Sequence, residues 1–184
     1  MSAYGSLIWS HIAALFRYVP QSLAIAAVLE LISIIRLKMH GEQVRLYKAI
    51  VMFIFWAYMV SLVFITLLSR EPGSRHAISL RLFETWGNTR MAHAFFFENI
   101  LLFIPFGALL PLAFRRARRI RFTVLAGFLT SLGIETTQVI TQMGYGQIDD
   151  VLTNVVGTAI GFDIWLLIFE KSYLDIRRDR KSVV

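Results

Sequence analysis

Apolar residues along this chain run together in blocks, with no alternation at strand period. Stretches of about 20 mostly apolar residues, long enough to cross a bilayer as helices, occupy Val19–Leu37, Tyr47–Ser69, Ala94–Phe114, Phe122–Met143 and Val151–Phe169. The second is the cleanest, since Ala49–Leu68 carries no charge, whereas the first contains Glu30 and the fifth Asp163. Upstream, Leu7, Ile8, Ile12, Leu15 and Phe16 recur at helical spacing within Tyr4–Arg17, which predicts an amphipathic segment in the membrane interface. The expected organisation is therefore 1–18 as an interfacial segment, 19–170 as one transmembrane domain and 171–184 as a basic tail. The fold class is all-α: a polytopic integral membrane bundle of about five transmembrane helices. With no basic stretch before the first apolar run and no small-x-small cleavage site, the chain is expected to insert whole.

Composition agrees. Hydrophobic residues make up 57% of the 184 and charged residues 17%, with a mean hydropathy of +0.62, well away from a soluble domain at roughly 45–50% apolar and 25% charged. Cysteine is absent, which excludes disulfide frameworks, thiolate metal sites and cysteine nucleophiles. No cofactor is expected.

The net charge of +7 takes its meaning from where the basic residues lie. Arg36, Lys38, Arg45 and Lys48 follow the first span; Arg115, Arg116, Arg118, Arg119 and Arg121 follow the third; Lys171, Arg177, Arg178, Arg180 and Lys181 follow the fifth. Five spans put these three segments on one face. The positive-inside rule makes that face cytoplasmic, with the N-terminus outside and the C-terminus in the cytoplasm. Basic loops beside anionic lipid account for the charge, and a nucleic-acid partner is not expected.

The outer face is then built from Arg70–His93 and a short turn, Gly144–Ile148. Within "AISLRLFETW", Ile78, Leu82, Phe83 and Trp86 suggest a short interfacial helix. The polar residues at membrane depth carry the chemistry. Glu135 sits eight residues from the outer end of the fourth span, about 12 Å below the surface at 1.5 Å per residue, with Gln138 on the same helical face. Asp149 and Asp150 open the fifth span, Asn154 lies one turn below, and Glu98 and Asn99 enter on the third. An ionised carboxylate in hydrocarbon costs at least about 2.5–3.5 kcal/mol, so Glu135 must face the interior, meet water or take a proton. One of Asp149 and Asp150 suits an N-cap, and two exceed what a cap needs. Asn99 and Asn154 also suit interhelical hydrogen bonding, and Gly157 and Gly161 form a GxxxG packing surface. Pro105 is expected to kink the third helix and open a cavity beside this set. Glu30 and Asp163, near the opposite end, offer a second half of a proton or ion pathway. No serine–histidine arrangement stands out among Thr130, Ser131, His76 and His93.

"ENILLFIPFGALLPL", "GIETTQVITQ" and "IDDVLTNVVGTAIGF" together resemble the VanZ-like family, whose pattern runs N-x-L-x-F-x-P-x-G, then a glutamate and glutamine three apart, then an acidic pair with N-x-x-G. The resemblance covers Tyr47–Phe169 and falls on Asn99, Phe103, Pro105, Gly107, Glu135, Gln138, Asp149, Asp150, Asn154 and Gly157. Many members carry an arginine shortly before the acidic pair, where this chain has "MGYGQ"; of a common outer N-L-x-P-F, "SLRLF" keeps Leu80 and Phe83. The name-giving member confers low-level resistance to teicoplanin, so the resemblance implies a protein of the bacterial cytoplasmic membrane that binds or alters an envelope-linked ligand such as a lipid-linked precursor or the lipoglycopeptide itself. Glu135 is the candidate acid. Asn99, Glu135, Gln138, Asp149, Asp150 and Asn154 are the candidate ligand-binding set; Pro105, Gly107, Gly157 and Gly161 are structural. A divalent ion at Asp149 and Asp150 is a weaker reading, and no metal site is expected. The alternatives are a membrane enzyme acting on lipid-linked envelope precursors, with the carboxylates as acid and base, and a small transporter or assembly partner.

Overall fold

The computed structural model describes residues 3–68, 73, 75–79, 81–82 and 90–170. Five helices among them are long and apolar enough to span a membrane: Arg17–Met39, Leu46–Leu68, Phe95–Ala113, Ile120–Thr141 and Ile148–Phe169. Each falls within a few residues of its expected span, so this is an all-α membrane bundle. The chain forms two compact units, Met1–Ser74 and Arg75–Val184.

In the first unit, helix α1 (Ala3–Met39) packs against α2 (Leu46–Val63). The backbone of the expected interfacial segment is the start of α1 itself, with Pro20 inside the helix. The side chains that would form its amphipathic face lie outside the described residues. Gly41, at φ 74°, makes the turn between the helices in a left-handed conformation that suits glycine. Ser22, Ala26 and Glu30 are buried at i, i+4 and i+8 on α1, whereas Val28, Leu31, Ile32 and Ile35 are exposed. Small and polar residues inside with large aliphatics outside is the membrane pattern, because lipid is as good a solvent for leucine as a protein interior. A π-helical turn, Phe64–Leu68, extends α2, and Thr66 donates to the Leu62 carbonyl (2.7 Å).

The second unit holds α3 (Arg90–Ala113), α4 (Ile120–Thr141) and α5 (Ile148–Trp165), the last extended by a π-helical turn through Glu170. A 3-10 turn, Arg115–Arg118, joins α3 to α4. Helices α3 and α5 run parallel and meet backbone to backbone. A Cβ added at Gly157 would collide with the carbonyl of Ile100, one at Gly161 with that of Ile104, and one at Gly107 with that of Thr158. Pro105, which has no N–H to donate to the Leu101 carbonyl, lies with Leu101 on the exposed side of α3, off the face that meets α5.

Two expectations for the outer face are corrected. Met143–Gln147 is no simple turn but a strand, β2, paired in parallel with β1 (Arg75–Ser79) in the register Arg75↔Met143 to Ser79↔Gln147. Ile78 therefore lies in a strand and Leu82 in an exposed turn, while Phe83 and Trp86 lie outside the described residues. The physical reason is non-local: β2 needs its N–H and C=O groups satisfied, and a segment some 68 residues upstream supplies them.

Candidate functional site

The buried face of α4 is a stripe of small and polar residues, Thr123, Gly127, Ser131, Glu135 and Gln138, at helical spacing, with one aliphatic residue, Ile134, buried beside them. Its other faces expose Leu125, Phe128, Leu129, Leu132 and Ile140. The stripe meets α5 in antiparallel register. Gly127 leaves room for the Thr158 side chain, and Asn154 Nδ2 donates to Ser131 Oγ at 2.8 Å with both residues buried. Continued by one more turn, that register sets Glu135 level with Asp150.

Glu135 is 7% exposed, and its Oε2 accepts the backbone N–H of Gln147 at 3.0 Å. Gln147 is the N-cap of α5, and it makes no side-chain cap bond. This locates the carboxylate at the positive end of that helix, where a negative charge is favoured. The acidic pair occupies the first turn just beyond, Asp149 buried and Asp150 half-buried. Neither is the cap residue, contrary to the expectation that one would be.

Strand β2 explains how residues twelve apart in sequence meet. From Glu135 to Thr141, α4 climbs six residues, about 9 Å. At Gln142 the chain takes a left-handed conformation (φ 56°) that closes the helix, its N–H donating to the carbonyls of Gln138 and Val139. Met143–Gln147 then descends by roughly 3.3 Å per residue, about 13 Å in all. Gly144 and Gly146 are buried, and a Cβ at Gly146 would press on Val139. The glycines thus let an extended segment return alongside α4 to the level of Glu135. Non-helical backbone packed among apolar helices is stable only when paired or buried, and β1 provides the pairing.

The structure therefore brings Glu135, Gln138, Asp149 and Asn154 into one buried region, with Asp150 at its edge, and Glu135, Gln138, Asp149 and Asp150 all have interaction partners. Asn154 differs: its Oδ1 is buried and has no hydrogen-bond partner among the described residues. Asn99 is half-buried on α3 beside Ile100, which meets Gly157, about one turn further along α5 than Asn154. Among the described residues no group of three or more His, Asp or Glu is placed to hold a metal ion. Glu30 belongs to the first unit, and Asp163 is exposed on α5, off the buried face formed by Gly157, Gly161 and Phe162. His93 is half-buried, and the side chain of His76 lies outside the described residues. Ser131, weighed in the sequence only as a nucleophile, is instead the partner of Asn154; the repeat Thr123, Gly127, Ser131, Glu135 at i, i+4 was the available signal.

A polar interior wrapped in aliphatic side chains, five spans and a paired strand returning beside the fourth helix define a multi-pass membrane protein. The chain belongs to the VanZ/LLP1 family, whose model matches residues 49–169. It is 32% identical over 117 residues to Protein VanZ of Enterococcus faecium, a match covering 59% of this chain and 68% of that protein. No solved structure matches.

Proposed function

We propose that this VanZ-type protein resides in the bacterial cytoplasmic membrane and binds an envelope-linked ligand in the polar region between α4 and α5, lowering sensitivity to lipoglycopeptides such as teicoplanin. The single observation that carries the reading is Asn154. Its amide is pinned to Ser131 at one end, while Oδ1 at the other is buried and unmatched among the described residues. Turning the amide over would leave Nδ2 bare instead, so one end is open in either orientation. An unmatched buried polar atom costs about 1–3 kcal/mol, and a ligand group that bonds to it recovers that cost. Glu135 is the central acid, held at the start of α5. Gln138 and Asn154 orient it, and Asp149 and Asp150 at the mouth engage cationic or hydroxyl-rich groups. The ligand then enters from the outer face.

The test is the inhibitory concentration of teicoplanin and of vancomycin in a susceptible Gram-positive host. Cells express the wild type, Glu135→Gln, Asp150→Asn or Asn154→Leu at matched membrane levels. Protection by the wild type that all three variants lose is the expected result. Wild-type protein that inserts correctly and protects against neither drug sinks the resistance reading, and variants that protect as well as the wild type sink the site.

A further inference from the structure

The turn between α3 and α4 carries a second feature, independent of the polar region. It presents Arg115, Arg116, Arg119 and Arg121 exposed, around a rigid core. Ala117 at the centre is 4% exposed, and the fully buried Thr123 donates its hydroxyl to the Ala117 carbonyl. Arg118 is half-buried and is committed to the end of α3, its Nε donating to the Pro111 carbonyl at 3.4 Å. Four exposed arginines are left around that core: Arg115 and Arg116 on the 3-10 turn, Arg119 at its end and Arg121 in the first turn of α4.

No aspartate or glutamate occurs between Glu98 and Glu135 in sequence, and Glu135 lies 15 residues, about 22 Å, along α4 from Ile120. The antiparallel register of α4 and α5 brings one acidic side chain, Asp163, to the level of Phe122; among the described residues it pairs with none of the four arginines. The positive end of α4, a 22-residue helix whose N-cap Arg119 makes no side-chain cap bond, adds to the same field. The surroundings are apolar. Phe114, Ile120 and Phe122 are 42%, 45% and 47% exposed, and the turn joins two candidate membrane spans.

We infer that the Arg115–Arg121 turn is a binding site for the phosphodiester headgroup of an anionic membrane lipid. Guanidinium forks match phosphate oxygens two at a time, which a point charge does not. The exposed phenylalanines that flank the arginines, Phe114 and Phe122, and Ile120 among them favour a ligand with acyl chains below its phosphate over free phosphate or nucleic acid, for which that apolar surface would be wasted.

The full-length protein is reconstituted in phosphatidylcholine vesicles doped with phosphatidylglycerol, extracted in mild detergent and purified. The phosphatidylglycerol fraction of the retained lipid is then measured by mass spectrometry. Enrichment of phosphatidylglycerol over the input is expected for the wild type. The triple variant Arg116→Gln, Arg119→Gln, Arg121→Gln should lose about tenfold or more of it. The corresponding lysine triple, which keeps the charge and guards against failure to fold, should retain only part. A charge-matched triple in the first unit, Arg36→Gln, Lys38→Gln, Arg45→Gln, should stay close to wild type, and excess inorganic phosphate should displace nothing. Unchanged enrichment in the glutamine triple overturns the site; an equal loss in the first-unit triple reduces it to generic attraction. Full retention by the lysine triple overturns the fork geometry, and displacement by inorganic phosphate makes it a free-anion site.

Discussion

Alanine at Gly157 or Gly161 adds one methyl group to α5 where α3 leaves no room. The new carbon at Gly157 would lie 3.0 Å from the carbonyl carbon of Ile100 and 3.1 Å from its Cα; at Gly161 it would lie 2.9 Å from the Ala108 nitrogen. Comfortable contacts between carbons begin near 3.5 Å. The carbonyl oxygens of Ile100 and Ile104 lie closer still. All these atoms are helix backbone and cannot rotate aside, so α3 and α5 must part by about an ångström or more, and overpacking of this kind costs about 1–3 kcal/mol or more. Because the two glycines lie along one parallel seam, one displacement relieves both, and the double variant should cost less than the sum of the singles. Gly133 is the internal control. It lies on α4 with no atom within 4 Å of an added Cβ, so Gly133→Ala should be neutral or stabilise by up to about 1 kcal/mol through helix propensity. Unfolding of the purified chain by sodium dodecyl sulfate in mixed micelles, followed by circular dichroism, reads all four proteins. If Gly157→Ala and Gly161→Ala unfold together with Gly133→Ala, the backbone-to-backbone seam is wrong.

Two further outcomes follow from the same geometry. Glu135→Ala leaves the Gln147 N–H without its acceptor and should destabilise by about 1–3 kcal/mol in the same assay, whereas Glu135→Gln keeps an acceptor oxygen and should stay closer to wild type; equal losses would mean that the Glu135–Gln147 bond does not contribute. Because the chain has no cysteine, single Tyr145→Cys and Arg116→Cys variants test orientation directly. A membrane-impermeant maleimide should label Tyr145→Cys in intact cells and Arg116→Cys only after permeabilisation, and labelling in the reverse order refutes an N-terminus outside.

How much of this was legible in the sequence depends on the range of the interaction. The five spans were readable because each helix satisfies its backbone within itself, so apolar length alone reveals it. The burial of Glu135, Gln138 and Asn154 was readable for the same energetic reason, since charged and amide groups avoid lipid. Gly157 and Gly161 announced a close-packed seam by spacing alone, although not that α3 is the partner. The strand pair was missed because "MGYGQ" and "RHAIS" are locally unremarkable; each becomes a strand only through the other.

What the sequence determined by itself, then, is the number of apolar helices long enough to span a membrane, the burial of the polar residues on α4 and α5, and the family. The tertiary structure decided the rest: that α5 is pressed against α3 through three glycines, that Asn154 is bound to Ser131 on α4 with one end of its amide left open, and that β2 carries Gln147 down to the Glu135 carboxylate. Hydropathy is a property of each segment against its solvent and can be summed along the chain. Those three contacts are properties of pairs of segments, fixed by which backbone groups find partners once the helices have packed.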